Sequence, residues 1–110
     1  MSTFEHKTLI QNISQSMATL RKAQPDAMQG FGQLAKAAMA EGAVSAKYKE
    51  LIALGVAMTT QCTYCLEIHR EKAKAAGVTE QEIAETIMIA GLLRLGAAVT
   101  HGAHCLEHPQ

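Results

Sequence analysis

Two cysteines three residues apart, Cys62 and Cys65, and a histidine one turn later, His69, have the types and spacing to do chemistry together. On a helix, positions three and four apart are neighbours, so the three share a face and Cys65 lies beside the imidazole. A helix start offers unsatisfied backbone N–H groups and the positive end of the helix dipole, and both favour negative charge. With an imidazole nearby, a thiolate is favoured over a thiol, and the thiolate attacks peroxides and disulfides. Three readings account for the trio. The residues are small core side chains with a hydrogen-bonded histidine; or a zinc site completed by His101, His104 or Cys105; or a redox dithiol with a proton-handling histidine. Zinc accepts four such ligands, but structural zinc serves chains with little core, and this chain is 48% hydrophobic. The redox reading is the one carried forward.

Glu50 adds to it. It stands at the edge of the apolar run Leu51–Met58 and, at helical spacing, shares a face with Leu54 and Ala57. A carboxylate there is either functional or paired near the surface, with Lys47, Lys49 and Arg70 as the available partners, because burying it alone is costly.

The chain that must position these residues has 110 residues, enough for one domain over 1–110 and no more. Its aromatic residues are Phe4, Phe31, Tyr48 and Tyr64, so a core must come from Ala, Leu, Ile, Val and Met. That composition suits closely packed helices and an all-α fold. Ten basic residues balance ten acidic ones, with no basic stripe, which argues against a nucleic-acid partner. A near-neutral, apolar-rich small domain tends to associate with itself. The N-terminal MSTFEHKTLIQ lacks a signal-peptide pattern. The longest apolar stretch, Ile87–Val99, is interrupted by Arg94 and too short to span a bilayer. A cytoplasmic protein without a membrane partner is the expectation, and there paired cysteines bind metal or do redox work more often than they staple structure. Cys105 is the odd one of three.

Periodicity divides the chain into five or six short helices. The first covers Thr3–Ala23, with Leu9, Ile13, Met17 and Leu20 in register. Pro25 breaks it. The second spans Asp26–Ala40, with Met28, Phe31, Leu34, Ala38 and Met39 inward and a stop at Glu41-Gly42. Ser45 caps a third helix that is apolar almost all round and therefore expected to be buried. Thr59 or Thr60 caps the fourth, Cys62–Ala76, which stops at Gly77. Thr79 and Glu82 form a capping box for a fifth helix. Gly91 and Gly96 allow close approach or a break before a last segment over Leu93–Leu106. His101, His104 and Cys105 then read as a polar helix end with a free cysteine, or as lining for a pocket or metal site.

The segment KYKELIALGVAMTTQCTYCLEIHREKAKAAGVTEQEIAETI resembles the core of the carboxymuconolactone decarboxylase and alkylhydroperoxidase D family. Glu50, the Cys62/Cys65 pair, His69, the Ala-rich run to Gly77 and the helix start at Thr79–Glu85 carry the resemblance, which covers residues 45–89 best. It implies an all-helical fold assembled as a homotrimer or homohexamer. Decarboxylases of the family act on a lactone acid and generally lack the cysteine pair, so the pair points to the hydroperoxidase branch. The resemblance implies catalytic roles: Cys65 attacks an organic hydroperoxide, Cys62 resolves the product as a disulfide, and Glu50 and His69 relay the proton. A lipoyl-bearing or thioredoxin-like dithiol protein restores the site, and no flavin, haem or metal is required. Thr63 and Tyr64 occupy the positions between the cysteines where the best-known alkylhydroperoxidases carry a further histidine, so the relay is shorter here. A general disulfide oxidoreductase, a decarboxylase-like enzyme and a zinc-stapled interaction module are the alternatives.

Overall fold

A computed structural model of the chain describes residues 3–107, with side chains from residue 7 onward. Five α-helices follow one another: α1 (Thr3–Ala23), α2 (Pro25–Met39), α3 (Ala46–Thr60), α4 (Thr63–Ala75) and α5 (Glu80–Gly102). A 3-10 turn over Ala103–Cys105 closes the series, and no strand occurs among the described residues. The fold is all-α, as expected; the outer ends of the 1–110 domain lie outside the described residues.

Each boundary has a local cause. Pro25 sits in the first turn of α2, where its missing N–H has no partner to lose. The end of α2 is held by Lys49, whose Nζ donates to the carbonyls of Ala38 (2.8 Å) and Ala40 (2.5 Å), a cation placed on the negative end of the helix. Gly42 is not the left-handed cap expected from the sequence; among the described glycines only Gly77 has positive φ, at 87°. There Val78 N–H bonds to Ala73 O (2.9 Å) and Gly77 N–H to Lys74 O (3.0 Å), which satisfies the last carbonyls of α4. Ser45 caps α3 by accepting from Tyr48 N–H. The capping box at α5 forms in both directions: Glu82 N–H donates to Thr79 Oγ1 and Thr79 N–H to Glu82 Oε1.

Helix α3 packs against both α4 and α5. Leu54, Ala73 and Val78 form the buried cluster, with Leu51, Met58, Leu66 and Ile83 half-buried around it. Gly55 faces α5, where an added Cβ would make ordinary van der Waals contact with Thr86 Cγ2 at 3.7 Å.

Away from this cluster three expectations fail, the first two because the single chain has nothing to lay on those surfaces. Phe31 (59% exposed) and Leu34 (67%) face solvent instead of a core, as does Ala38, while Met28 and Met39 are half-buried. Helix α3 is fully buried only at Glu50, Leu54 and Ala57, and Ile52 and Val56 stay exposed. Glycines 91 and 96 neither break α5 nor meet a neighbour, so one helix runs to Gly102, with no buried residue. The continuous segment Glu80–Cys105 is, by length and composition, apolar enough to cross a membrane, unlike the short interrupted stretch expected from the sequence.

The overall dimensions agree. The radius of gyration is 17.9 Å, against about 13 Å for a closely packed domain of ~100 residues. The accessible surface is 8491 Å², against roughly 5,900 Å² for a folded monomer of this mass.

Candidate active site at the start of α4

The turn between α3 and α4 builds the site. Thr59 and Thr60 do not cap α4; their hydroxyls donate back to Val56 O and complete the last turn of α3. The chain then reverses through Gln61, which adopts left-handed backbone angles (φ 58°, ψ 39°), and Cys62 N–H bonds to Ala57 O at 3.1 Å. The left-handed conformation costs a non-glycine residue energy. It turns Cys62 into the N-cap of α4, where its Sγ accepts from Cys65 N–H at 3.2 Å. A sulfur thus takes the place of the usual capping hydroxyl or carboxylate.

Cys62 and Cys65 are joined as a disulfide, with Cα atoms 5.2 Å apart, and both are half-buried. The pair is therefore held in its oxidised form at the positive end of α4. His69 follows on the same helix, one turn beyond Cys65. Its Nδ1 lies 2.7 Å from Oε2 of Glu50, across the α3–α4 contact. Glu50 is the one buried charged residue among those described, 8% exposed. The carboxylate accepts the Nδ1–H, which fixes the ring and leaves Nε2 as its free nitrogen. The partners available to Glu50 in the sequence are engaged elsewhere: Lys47 with Glu82 at 3.0 Å, Lys49 with the α2 carbonyls, Arg70 with Glu67 at 3.7 Å. The surface pair with Lys47, Lys49 or Arg70 does not form; the buried carboxylate meets His69, the histidine of the motif.

Elsewhere, Glu82 has its carboxyl held below the usual range, first by the backbone N–H of Thr79 and then by Lys47. That interaction fixes the start of α5 and takes no part in the thiol site.

The distal residues do not join the four. His101 and His104 stack edge to face at 5.6 Å, and Cys105 is exposed. Among the described residues no group of three His, Cys, Asp or Glu side chains comes together as a metal site would require. The zinc reading of Cys62, Cys65 and His69 therefore lacks the ligand that His101, His104 or Cys105 was expected to supply. Sequence reasoning missed Gln61, the residue that makes the corner. Its type carries no signal, since left-handed positions usually fall to Gly or Asn.

Two open grooves lie along the α3–α5 crossing. One, of about 460 Å³, includes Ile52, Val56, Ile89 and Leu93 in its walls. The other, of about 490 Å³, is walled by Met58, Ile87, Gln61 and Leu66, the last two being sequence neighbours of Cys62 and Cys65.

Comparison with known proteins bears on this arrangement. Residues 25–108 match the profile of the Carboxymuconolactone decarboxylase family. "Uncharacterized protein 4 in cox locus" of Paracoccus denitrificans is 41% identical over 76 residues, covering 69% of this chain and 68% of its own length. An uncharacterized protein of Haemophilus influenzae is 38% identical over 96 residues, 87% of this chain and 85% of its own. The crystal structure of a carboxymuconolactone decarboxylase family protein from Legionella pneumophila superposes with a TM-score of 0.78 at 32% identity, covering 90% of this chain and 88% of the other. A structure from Methanobacterium thermoautotrophicum gives 0.75 at 28% identity, covering 80% and 99%.

Proposed function

The chain belongs to the carboxymuconolactone decarboxylase family, and we propose that within it this protein is a thiol-dependent alkyl hydroperoxide reductase. The observation that carries the reading is the 2.7 Å hydrogen bond from Glu50 on α3 to His69, which stands on the helix that begins at the Cys62–Cys65 disulfide. A redox pair, a base and a group that orients the base are the parts a peroxidatic dithiol needs.

The cycle begins with the reduced pair. His69 Nε2 accepts the Cys65 thiol proton while Glu50 holds the opposite nitrogen. The Cys65 thiolate attacks one peroxide oxygen, an S–O bond forms, the O–O bond breaks, and the alkoxide takes the proton from His69 to leave as an alcohol. Cys65 is now a sulfenic acid. The Cys62 thiolate, at the N-cap, attacks the Cys65 sulfur; an S–S bond forms and hydroxide leaves, protonated, as water. The disulfide is the state seen in the structure. A dithiol donor, lipoyl-bearing or thioredoxin-like, attacks Cys62 and leaves as its own disulfide, returning two electrons and two protons to the pair. With Thr63 and Tyr64 between the cysteines, the proton route has no further histidine to pass through. That same absence favours general disulfide exchange as the second reading, since exchange needs the pair and a donor but no peroxide pocket.

The protein works as an assembly of copies in this reading. Met88, Leu92, Leu95 and Val99 form a stripe on the side of α5 away from α3, and Phe31 and Leu34 add an apolar face on α2. The surface in excess of a folded monomer is roughly 2,600 Å², the scale of an obligate interface. A bilayer is the poorer cover for α5, because Arg94 at its middle costs about 3 kcal/mol in hydrocarbon. A cytoplasmic location follows from the redox chemistry, which needs a reducing donor.

The test is turnover of tert-butyl hydroperoxide with dihydrolipoamide as donor. Cys65→Ser abolishes turnover while the helical circular dichroism survives, and Cys62→Ser stops it after one equivalent. Turnover that persists with both cysteines replaced would point to cysteine-independent chemistry such as decarboxylation. Disulfide exchange without peroxide consumption would select the second reading.

A further inference from the structure

The two grooves at the α3–α5 crossing share Thr59, Ala90 and Arg94, and Arg94 is the only charged residue lining either. Ala90 and Arg94 are one turn apart on α5, opposite the end of α3, so the guanidinium stands at the rim where the grooves meet. Among the described residues Arg94 makes no ion pair or hydrogen bond. It is also the one charge in the run Ile87–Val99. Arginine is charged at every physiological pH and presents a planar fork that fits a carboxylate in two hydrogen bonds. The walls nearby are apolar: Met58, Leu66 and Ile87 on one side, Val56, Ile89 and Leu93 on the other. The hydroxyls of Thr59 and Thr86 are spent on Val56 O and Glu82 O. What fits is a molecule with one carboxylate and an alkyl body, and the second groove leads from the carboxylate end to Gln61 and Leu66, the sequence neighbours of Cys62 and Cys65.

We propose that Arg94 is the anchor of a carboxylate-binding site, and that the substrate of the thiol site is an amphipathic acid bearing a hydroperoxide, of the fatty-acid type. The substrate assignment rests on the peroxidase reading; the acid site does not. Arg94 fixes the carboxylate, the α3–α5 groove covers the chain, and the hydroperoxide is carried to the start of α4. The outward stripe of α5 lies on the opposite side of the helix from Arg94.

The first measurement is calorimetric binding of decanoate, an unreactive probe, and of 1-decanol to the intact oxidised protein. Decanoate binds about tenfold more tightly than decanol, the difference weakens with salt, Arg94→Met removes it, and Arg94→Lys keeps most of it. Decanoate and decanol binding alike, or decanoate binding unchanged in Arg94→Met, would overturn the acid site. Arg94→Met that dissociates the assembly with decanoate affinity intact would likewise overturn it, assigning Arg94 to a contact between copies. The second measurement compares a fatty-acid hydroperoxide with its methyl ester. The acid has the lower KM by about tenfold in the wild type and no advantage in Arg94→Met, with kcat alike. Equal KM values for acid and ester would overturn the substrate assignment. Decanoate binding through Arg94 in a protein that consumes no hydroperoxide would sustain the acid site while the peroxidase reading failed.

Discussion

The α3–α4 corner and the long helix α5 are built from similarly apolar sequence, yet one is finished within the chain and the other is not. At the corner every polar demand is met locally: the buried carboxylate of Glu50 has His69, Cys62 caps the helix that follows, and Leu54 and Ala73 close the core beneath. Along α5 the reverse holds. Twenty-three residues of helix contain no buried side chain, and Leu92 and Val99 are 63% and 65% exposed. A helix apolar on all sides is stable in water only when covered on all sides. The corner is therefore complete within one chain, and α5 is left uncovered by it.

The strongest way to break this comparison is to spoil the outward stripe. Leu92→Glu with Leu95→Glu is expected to shift the assembly to single-chain mass in light scattering and to lower Tm by on the order of 10 °C. An unchanged mass and Tm would mean that α5 needs no copy beside it. At the corner, Glu50→Gln keeps an acceptor near His69 Nδ1 but removes the charge that balances a protonated ring. Peroxide turnover is expected to fall about 10²-fold with circular dichroism unchanged, and a fall of less than twofold would remove Glu50 from the relay. Gln61→Val places a β-branched residue in the left-handed region and costs about 1–2 kcal/mol in denaturant unfolding. Gln61→Gly, free of that strain, leaves stability equal or higher. Equal losses in both variants would show that the corner depends on the glutamine side chain.

The smallest effect belongs to the start of α5. The Glu82 carboxyl is held below its usual range by the Thr79 backbone N–H and then by Lys47. Its pKa is lower folded than unfolded, so its contribution is complete above the ordinary carboxylate range and is lost as pH falls through the lowered folded value. Glu82→Gln therefore lowers stability at neutral pH, and the gap from wild type closes on acidification. A gap independent of pH would mean that the capping geometry, and not the charge, carries the effect.

Much of the corner was legible in the sequence because it is governed by local rules. The Ser45 and Thr79 caps, the stop at Gly77 and the sharing of one helix by Cys62, Cys65 and His69 follow from residue types at fixed spacing. The Glu50–His69 contact spans nineteen residues, and only the family resemblance paired those two. What was not legible is which apolar faces the chain leaves uncovered. Phe31, Leu34, Ile52 and Val56 have the pattern of core residues, and periodicity marks a face to be covered without saying whether the cover lies in the same chain. The Gly91 and Gly96 positions misled because glycine weakens a helix without ending it when good helix formers flank it. Lys49 as the cap of α2 was hidden for a third reason: a long side chain reaching carbonyls nine and eleven residues back leaves no local motif.

The central claim is that Cys65 and Cys62 form a peroxide-driven redox pair. Its most direct test is a thiol count by intact mass after alkylation of the fully reduced protein, before and after one equivalent of tert-butyl hydroperoxide. The expected result is loss of two alkylatable thiols, mapped to a Cys62–Cys65 disulfide, with Cys105 still free. Survival of all three thiols in excess peroxide would contradict the account.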